Sequence, residues 1–363
     1  MKNILNKRDC CGCGVCKTVC PSSAIAMTAD PEGFLYPKID QEKCVDCGIC
    51  LKKCPVLNVD SLKLSGHDTR IFAGYRTDTE QLLESASGGA ASALAEAFIG
   101  SGGLVCGAVY KNNFRGVGFA LADNAAGLKK FKSSKYIFSE MNEIYDRIQL
   151  SIREGNKVLF IGLPCEVSAL KSYLGQDIDL LYTVELICYG VTSPIIAKQY
   201  LDSLESSHHS TINEFNVRYK KDGWTVPYLR AVFRNGRIIE KPFYETNYGL
   251  AFTQLSRPSC YNCHFKGERR AADMTIGDAL GITEEDSCWN DNGVSLLLTH
   301  TNKGAELIDA LTDFTLFPLD RNKALRDNER METSPGEDPD RKRFSALWRE
   351  RGLSGVCKIW RRS

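Results

Sequence analysis

Two cysteine runs of identical spacing lie within the first 55 residues and constrain this chain more than any other feature. Residues 10–21 and 44–55 each read Cys-x2-Cys-x2-Cys-x3-Cys-Pro. In bacterial ferredoxins the first three thiolates of such a run bind one [4Fe–4S] cluster, and the fourth cysteine ligates the other cluster. The sequence therefore predicts an N-terminal α+β ferredoxin-like domain that holds two [4Fe–4S] clusters.

The same rule divides the eight cysteines into two ligand sets. One predicted cluster takes Cys10, Cys13, Cys16 and Cys54, and the other takes Cys44, Cys47, Cys50 and Cys20. A pair of zinc sites is the alternative, but zinc sites usually space their ligands as two pairs with a longer gap. Cys11 is the odd member of the first run, and we predict a structural thiol there. Between the runs, Asp30-Pro31-Glu32-Gly33 predicts a turn between short strands.

Length, charge and hydropathy indicate a two-domain protein and do not favour a nucleic acid or a membrane as its partner. The chain has 363 residues, which is enough for a small domain and one large domain. Its net charge of +1 favours neither a nucleic acid nor an anionic membrane as partner. No apolar run approaches the roughly 18 residues of a membrane span, and no leader is visible. We expect a cytoplasmic protein without a membrane span.

Beyond the cysteine runs, predicted strands alternate with helices. KVLFIG (157–162) and DLLYTVELIC (179–188) are typical of buried strands, with a helical pattern at 166–174 between them. This alternation indicates an α/β domain, and Asn235-Gly236 predicts an antiparallel hairpin, so we expect a mixed sheet. The predicted division is a ferredoxin domain at 1–58, a linker at 59–70, a catalytic domain at 71–320, and a charged tail packed on the body at 321–363.

Four further cysteines suggest a third metal site. Cys165 and Cys188 each follow a predicted strand, and Cys260-x2-Cys263 is a metal-type pair. Ligands of α/β folds gather at the carboxyl ends of strands. These four thiols can hold a third [4Fe–4S] cluster. Two buried core cysteines and an unrelated pair are the alternative.

A loop of serine and glycine is a candidate for phosphate binding. Ser85, Ser87, Gly88 and Gly89 precede an alanine-rich helix, whose free N–H groups and dipole suit a phosphate. Helix capping by the serines is the alternative. Lys135-Tyr136 is a second candidate for anion contact, or a solvated basic turn.

Two charged positions downstream are also open to more than one interpretation. Asp278 lies in an apolar strand pattern, where a carboxylate needs a partner. Arg269-Arg270 can hold an acidic ligand or face water.

Redox chemistry favours a flavin in the larger domain. Iron–sulfur clusters pass one electron at a time, whereas most organic reductions need two. A flavin can exchange either one electron or two, so it can link one-electron clusters to a two-electron reaction. Two clusters fused to a large α/β domain therefore imply a two-electron centre in that domain.

Five segments together resemble the beta subunit family of coenzyme F420 hydrogenase and dehydrogenase, with a fused ferredoxin domain. They are SASGGAASAL (85–94), SSKYIFS (133–139), VLFIGLPCEVSALKSYL (158–174), LICYGVTSP (186–194) and RPSCYNCHFKGERRAADMTIGDALGI (257–282). The resemblance implies an FAD-binding α/β domain and a further [4Fe–4S] cluster on Cys165, Cys188, Cys260 and Cys263. It also implies flavin contacts at Ser85, Ser87, Gly88, Gly89, Lys135, Tyr136, Gly162 and Pro164.

The function expected from these features is that of an FAD-dependent iron–sulfur oxidoreductase. It would couple a two-electron substrate, a deazaflavin such as coenzyme F420 or another organic compound, to a one-electron partner. That partner would be ferredoxin or another oxidoreductase subunit. A ferredoxin-dependent reductase of an organic substrate and a non-catalytic electron-transfer subunit are the alternatives. No catalytic residue is assigned.

Overall fold

A computed structural model describes residues 4–64, 69–141, 143–175 and 178–362. In the first segment, two short helices and a hairpin carry the two cysteine runs. The elements are α1 (Val15–Thr18), β1 (Ile25–Ala29), β2 (Leu35–Ile39) and α2 (Ile49–Lys52). Gly14 and Gly48 adopt the left-handed conformation, with φ of 79° and 71°, directly before α1 and α2.

Strands β1 and β2 pair antiparallel, with Ile25 opposite Ile39, as the turn residues predict. The Asp30 carboxylate accepts the backbone N–H groups of Glu32 and Phe34, and Gly33 takes a φ of +86°. The start of the predicted linker forms a short helix, α3 (Val59–Leu62), and Leu64 N–H donates to Arg270 O. Residues 65–68 of that linker lie outside the described residues, and the domain boundaries stay predictions.

The larger part of the chain is built on a nine-stranded mixed sheet. Its strands are β3 (Arg70–Tyr75), β4 (Leu104–Lys111), β5 (Gly116–Ala122), β6 (Ser139–Glu140), β7 (Val158–Gly162), β8 (Leu181–Leu186), β12 (Met274–Asp278), β13 (Ser295–Thr299) and β14 (Thr315–Pro318). Their order across the sheet is β14-β3-β13-β12-β8-β7-β4-β5-β6. Neighbours from β12 to β4 run parallel, as do β5 and β6, and the other pairs are antiparallel. The predicted mixed sheet is confirmed.

Helices cover both faces of this sheet, because the central strands are apolar on both sides. The helices of the larger part are α4 (Thr79–Glu84), α5 (Ala90–Gly100), α6 (Ala125–Leu128), α7 (Ile144–Arg153), α8 (Pro164–Leu174), α9 (Pro194–His208), α10 (Asn247–Gln254), α11 (Asn302–Asp309), α12 (Arg321–Leu325) and α13 (Arg341–Trp360). In β7, Leu159 packs with α5 and α11, whereas Val158 and Phe160 pack with α7 and α8. Pro164 at the first position of α8 fixes where that helix begins.

A separate antiparallel sheet of three strands packs beside the main sheet. Its strands are β9 (Ile212–Tyr219), β10 (Tyr228–Phe233) and β11 (Ile238–Pro242), with β10 in the centre. Gly236, at φ +82°, forms the β10–β11 turn that the Asn-Gly pair predicts. Helices α9, α10 and α13 share its core, and Phe344 and Trp348 of α13 are buried there. Among the described residues, none of the helices has the length and apolar character that crossing a membrane requires.

Candidate functional site

Four cysteines of the two N-terminal runs line one small cavity at the edge of the hairpin. They are the fourth cysteine of the first run and the first three of the second run, namely Cys20, Cys44, Cys47 and Cys50. Burial raises the pKa of the Cys20 thiol, but hydrogen bonds from Ser22 and from the backbone N–H of Ala24 outweigh that effect and lower it. The cavity therefore groups the four thiols that the spacing rule assigns to one cluster.

The other thiols of the runs group on the inner side of the hairpin. Burial, together with the neighbouring thiols of Cys10, Cys54 and Cys50, raises the pKa of Cys16 to about 12. Burial likewise raises the pKa of Cys54 to about 11. Cys10, Cys16 and Cys54 are thus close enough to repel one another as thiolates. Cys13 lies in the same loop, and its carbonyl accepts the hydroxyl of Tyr145 at 2.9 Å.

A larger cavity brings together the four cysteines predicted for a third cluster. Cys165 stands in the first turn of α8, Cys188 follows the end of β8, and Cys260 and Cys263 lie on the turn after Arg257. All four line the cavity, together with Cys11 and Cys13 of the first run. Burial raises the pKa of Cys188 to about 12 and that of Cys260 to about 11, and in each the neighbouring thiols add to the effect. The convergence that the sequence leaves open is thus present in the fold.

The thiols line cavities, as the ligands of a group larger than one ion would. In the described parts of the chain, no three His, Cys, Asp or Glu side chains converge tightly enough to hold a single metal ion. Zinc needs four ligands at about 2.0–2.3 Å from one point. A cubane cluster instead takes one thiolate on each of four irons, so its ligands stand around a wider space. The donor set and the cavities therefore fit [4Fe–4S] clusters, while the ligation of each cysteine stays a prediction.

Positive and polar side chains lie behind the larger cavity. The Lys266 ammonium donates to Cys188 O at 2.5 Å and to Arg330 O, and the Cys188 and Cys263 thiols oppose the lowering of its pKa by burial. Arg270 is buried in an ion pair with Glu185 and also donates to Met331 O at 2.6 Å. The Arg270 guanidinium therefore pairs with the Glu185 carboxylate of the same chain and does not face water.

The serine–glycine loop is closed by packing. The hydroxyls of Ser85 and Ser87 donate to Gln81 O and Val294 O, both at 2.8 Å. A Cβ on Gly88 would stand 2.4 Å from both Gly74 O and Ser295 N, so the glycine allows the loop to approach β3 and β13. The structure thus gives this loop a packing role where the sequence suggests a phosphate cradle, and its flavin contacts stay a prediction.

The other predicted flavin contacts differ in their surroundings. The Lys135 ammonium donates to the carbonyls of Phe131, Lys132 and Ser133, each at 3.1 Å, and burial lowers its pKa to about 7. Lys135 thus faces inward. Gly162 is buried, and a Cβ there would meet Phe160 and Glu166, whereas Pro164 lines the cysteine cavity.

Tyr136 belongs to a surface of tyrosines and one ion pair, which we call the tyrosine–arginine face (Tyr136, Tyr189, Arg218, Tyr244 and Asp278). Arg218 pairs with Asp278 at 2.9 Å, lies 3.5 Å from the Tyr136 hydroxyl, and donates to Ala86 O at 2.7 Å. Tyr189 and Tyr244 are 44% and 54% exposed. Burial, together with the charges of Tyr136 and Asp278, raises the pKa of Tyr244 to about 12. Arg218 is therefore the partner that the Asp278 carboxylate needs, and no pattern in the sequence indicated it.

The fold and the grouped thiols define an iron–sulfur protein in which a ferredoxin-type domain precedes a larger mixed α/β domain. Residues 9–58 match the family model of the 4Fe-4S dicluster domain. Residues 155–320 match the model that describes the carboxyl terminus of the beta subunit of coenzyme F420 hydrogenase/dehydrogenase. These two matches agree with the resemblance to the coenzyme F420 hydrogenase/dehydrogenase beta subunit family, with a fused ferredoxin domain, that the five segments predict.

Among solved structures, the chain is similar to a chain of the F420-reducing [NiFe] hydrogenase complex from Methanosarcina barkeri. The two are 18% identical, the match covers 80% of this chain and 90% of that chain, and the TM-score is 0.47. Comparison with curated proteins gives no match.

The buried Glu185–Arg270 pair gives a prediction about stability. Arg270→Met leaves the Glu185 carboxylate buried without its ionic partner, which destabilises a fold by about 3–5 kcal/mol. Arg269 is the matched control, because it is exposed and only donates to Asp60 O at 3.3 Å. We expect a clear fall in the urea midpoint of unfolding for Arg270→Met and almost none for Arg269→Met. Equal effects of the two substitutions would contradict the importance of the pair.

Proposed function

We propose that this chain is an iron–sulfur flavoprotein oxidoreductase that connects a two-electron substrate to one-electron carriers through three [4Fe–4S] clusters. The observation that carries the proposal is the larger cavity, in which Cys165, Cys188, Cys260 and Cys263 adjoin Cys11 and Cys13 of the ferredoxin part. A cluster in this cavity would neighbour the cluster of the first run. Electrons then have a continuous path between the two parts of the chain.

The thiols themselves support the order of the path. Cys13 belongs to the predicted inner cluster and lines the larger cavity, so that cluster is the neighbour of the third site. The Cys50 thiol, of the other predicted set, interacts electrostatically with Cys16 of the inner set. The order is therefore third site, inner cluster, outer cluster. Clusters held by these cysteines would pass one electron at a time along this order, without bond making.

The tyrosine–arginine face is the part of the chain that fits a flavin best. Exposed tyrosine rings suit stacking on a planar aromatic ring, and an arginine suits the oxygens of a flavin or of its phosphates. Tyr189 on this face directly follows Cys188, so a ligand here lies next to the third site. When bound, FAD exchanges two electrons with organic substrates and single electrons with clusters. Arg218, held by Asp278, would orient it.

The family suggests the class of the two-electron substrate. A deazaflavin such as coenzyme F420 is a flat aromatic hydride carrier, and it would reach a flavin from the side where Tyr189 and Tyr244 are exposed. The one-electron partner is ferredoxin or another subunit of an oxidoreductase complex. It would meet the outer cluster, where Cys47 is exposed.

Metal analysis of an anaerobic preparation tests the third site. We expect about twelve iron atoms per chain, because each of three cubanes holds four. Cys260→Ala should remove about a third of the iron. Cys288→Ala is the control, because Cys288 is buried in a different apolar core, and its iron content should equal that of the wild type. Unchanged iron in Cys260→Ala would reject the third site, and zinc in place of iron would reject all three.

Flavin content tests the tyrosine–arginine face. Arg218→Gln breaks the pair with Asp278 and removes the positive charge, so the FAD bound per chain should fall several-fold while iron stays constant. Arg115→Gln is a suitable control, because Arg115 pairs with Asp202 and Glu205 at a different part of the surface. Flavin that survives Arg218→Gln unchanged would place its site elsewhere.

Rapid mixing under anaerobic conditions tests the substrate and the direction. Reduced deazaflavin added to the loaded wild-type protein should bleach the flavin absorption first and the cluster absorption after it. Reduced ferredoxin is the comparison. If only ferredoxin bleaches the protein, electrons run from the clusters to an organic substrate. A preparation loaded with clusters but free of flavin would indicate a subunit that only transfers electrons.

A further inference from the structure

Arg257 extends from the larger domain into the ferredoxin part. It stands three residues before Cys260 and is only 1% exposed. Its Nε donates to Cys10 O at 3.0 Å, and its Nη2 donates to Leu35 O at 2.8 Å. One guanidinium thus holds both the first cysteine loop and strand β2.

Aromatic rings and a glycine enclose this guanidinium. Its central carbon lies 4.3 Å from the ring centroid of Tyr36, 5.0 Å from that of Phe138 and 5.4 Å from that of Phe34. A Cβ on Gly12 would stand only 2.7–2.8 Å from the guanidinium atoms. Gly12 therefore lets Arg257 lie directly against the loop between Cys10 and Cys13.

One nitrogen of the guanidinium remains without an acceptor among the described residues. Nη1 is buried and has no hydrogen-bond partner among the residues that the structure describes. A buried N–H of a charged group without an acceptor is costly, so such a group calls for a partner. Arg257 lines the larger cavity, and its charge acts on the Cys10 thiol of the inner set and on the Cys260 thiol of the third set.

We propose that Arg257 is the positioning residue for electron transfer between the two parts of the chain, and that its free Nη1 donates a hydrogen bond to a sulfur of the inner cluster. This inference rests on the proposed function for the path, but the inner cluster comes from the N-terminal runs alone. Hydrogen bonds to cluster sulfurs favour the reduced, more negative state and raise the potential. Arg257 therefore makes the inner cluster the better electron acceptor.

The test compares two buried arginines that both hold the ferredoxin hairpin. Arg341 pairs with Glu32 at 2.6 Å, but it does not line the larger cavity. Arg257→Gln, Arg257→Lys and Arg341→Gln are prepared as full chains, and iron is counted before each redox titration followed by electron paramagnetic resonance. In Arg257→Gln the equilibrium constant for reducing the inner cluster should fall at least tenfold, a shift of about 59 mV to lower potential.

The two other variants give the reference points. Arg257→Lys retains the charge without the planar set of donors, so it should show a smaller shift. Arg341→Gln should keep the wild-type potential. An unchanged potential in Arg257→Gln with full iron, or an equal shift in Arg341→Gln, overturns the proposal. If Arg257→Gln does not retain iron, the potential of the inner cluster in Arg257→Lys is the test. A wild-type potential in Arg257→Lys overturns the proposal as well.

Iron content separates this inference from the function on which it builds. About eight iron atoms per wild-type chain, in place of twelve, would remove the third cluster and with it the proposed path. The inner cluster and its potential would remain measurable in that protein. The iron content of the wild-type chain thus tests the proposed function. The potentials of the Arg257 and Arg341 variants test the role of Arg257.

Discussion

Buried thiols that share a cavity cannot all ionise unless a positive group stands among them, and this constraint shapes both cysteine regions. Burial and neighbouring thiols raise the pKa of Cys16 and Cys188 to about 12. Iron binds the thiolate, so a cluster assembled on these cysteines would have to displace their protons. The free energy of that binding becomes folding energy, because the ligands converge only in the folded chain. The short helices α1 and α2, of four residues each, have little stability without it.

Three hydrogen bonds join the main chain of the cysteine loops to the larger domain. Tyr145 donates to Cys13 O, Ser172 donates to Lys53 O at 2.9 Å, and Arg257 donates to Cys10 O. Bonds to backbone carbonyls fix the position of a loop while leaving its thiols free for metal. The donors come from α7, from α8 and from the turn before Cys260. Two of these elements also border the larger cavity, so the same packing sets the distance between the two metal sites.

Features that depend on local spacing could be predicted from the sequence, whereas contacts between residues distant in the chain could not. The cysteine runs, the hairpin turn at Gly33 and the Asn-Gly turn at Gly236 each follow from a few adjacent residues. Asp278 could be recognised as a carboxylate that needs a partner, but Arg218 lies 60 residues away on another sheet. Glycine spacing alone does not distinguish a phosphate cradle from close packing. Gly88 serves packing because β13, more than 200 residues later, lies against it.

The two ends of the proposed relay differ in their exposure to solvent. This difference suggests which kind of redox partner each end would meet. At the outer end Cys47 is exposed beside Val45, which is 66% exposed, so a one-electron partner can approach that cluster closely. At the inner end the third site is enclosed by α8, β8 and the loop of Arg257, and the tyrosine–arginine face lies next to it. The ends use different segments of the chain. In the proposed relay, a two-electron substrate and a one-electron partner would therefore bind at different places on the chain, and the clusters between them would carry the single electrons.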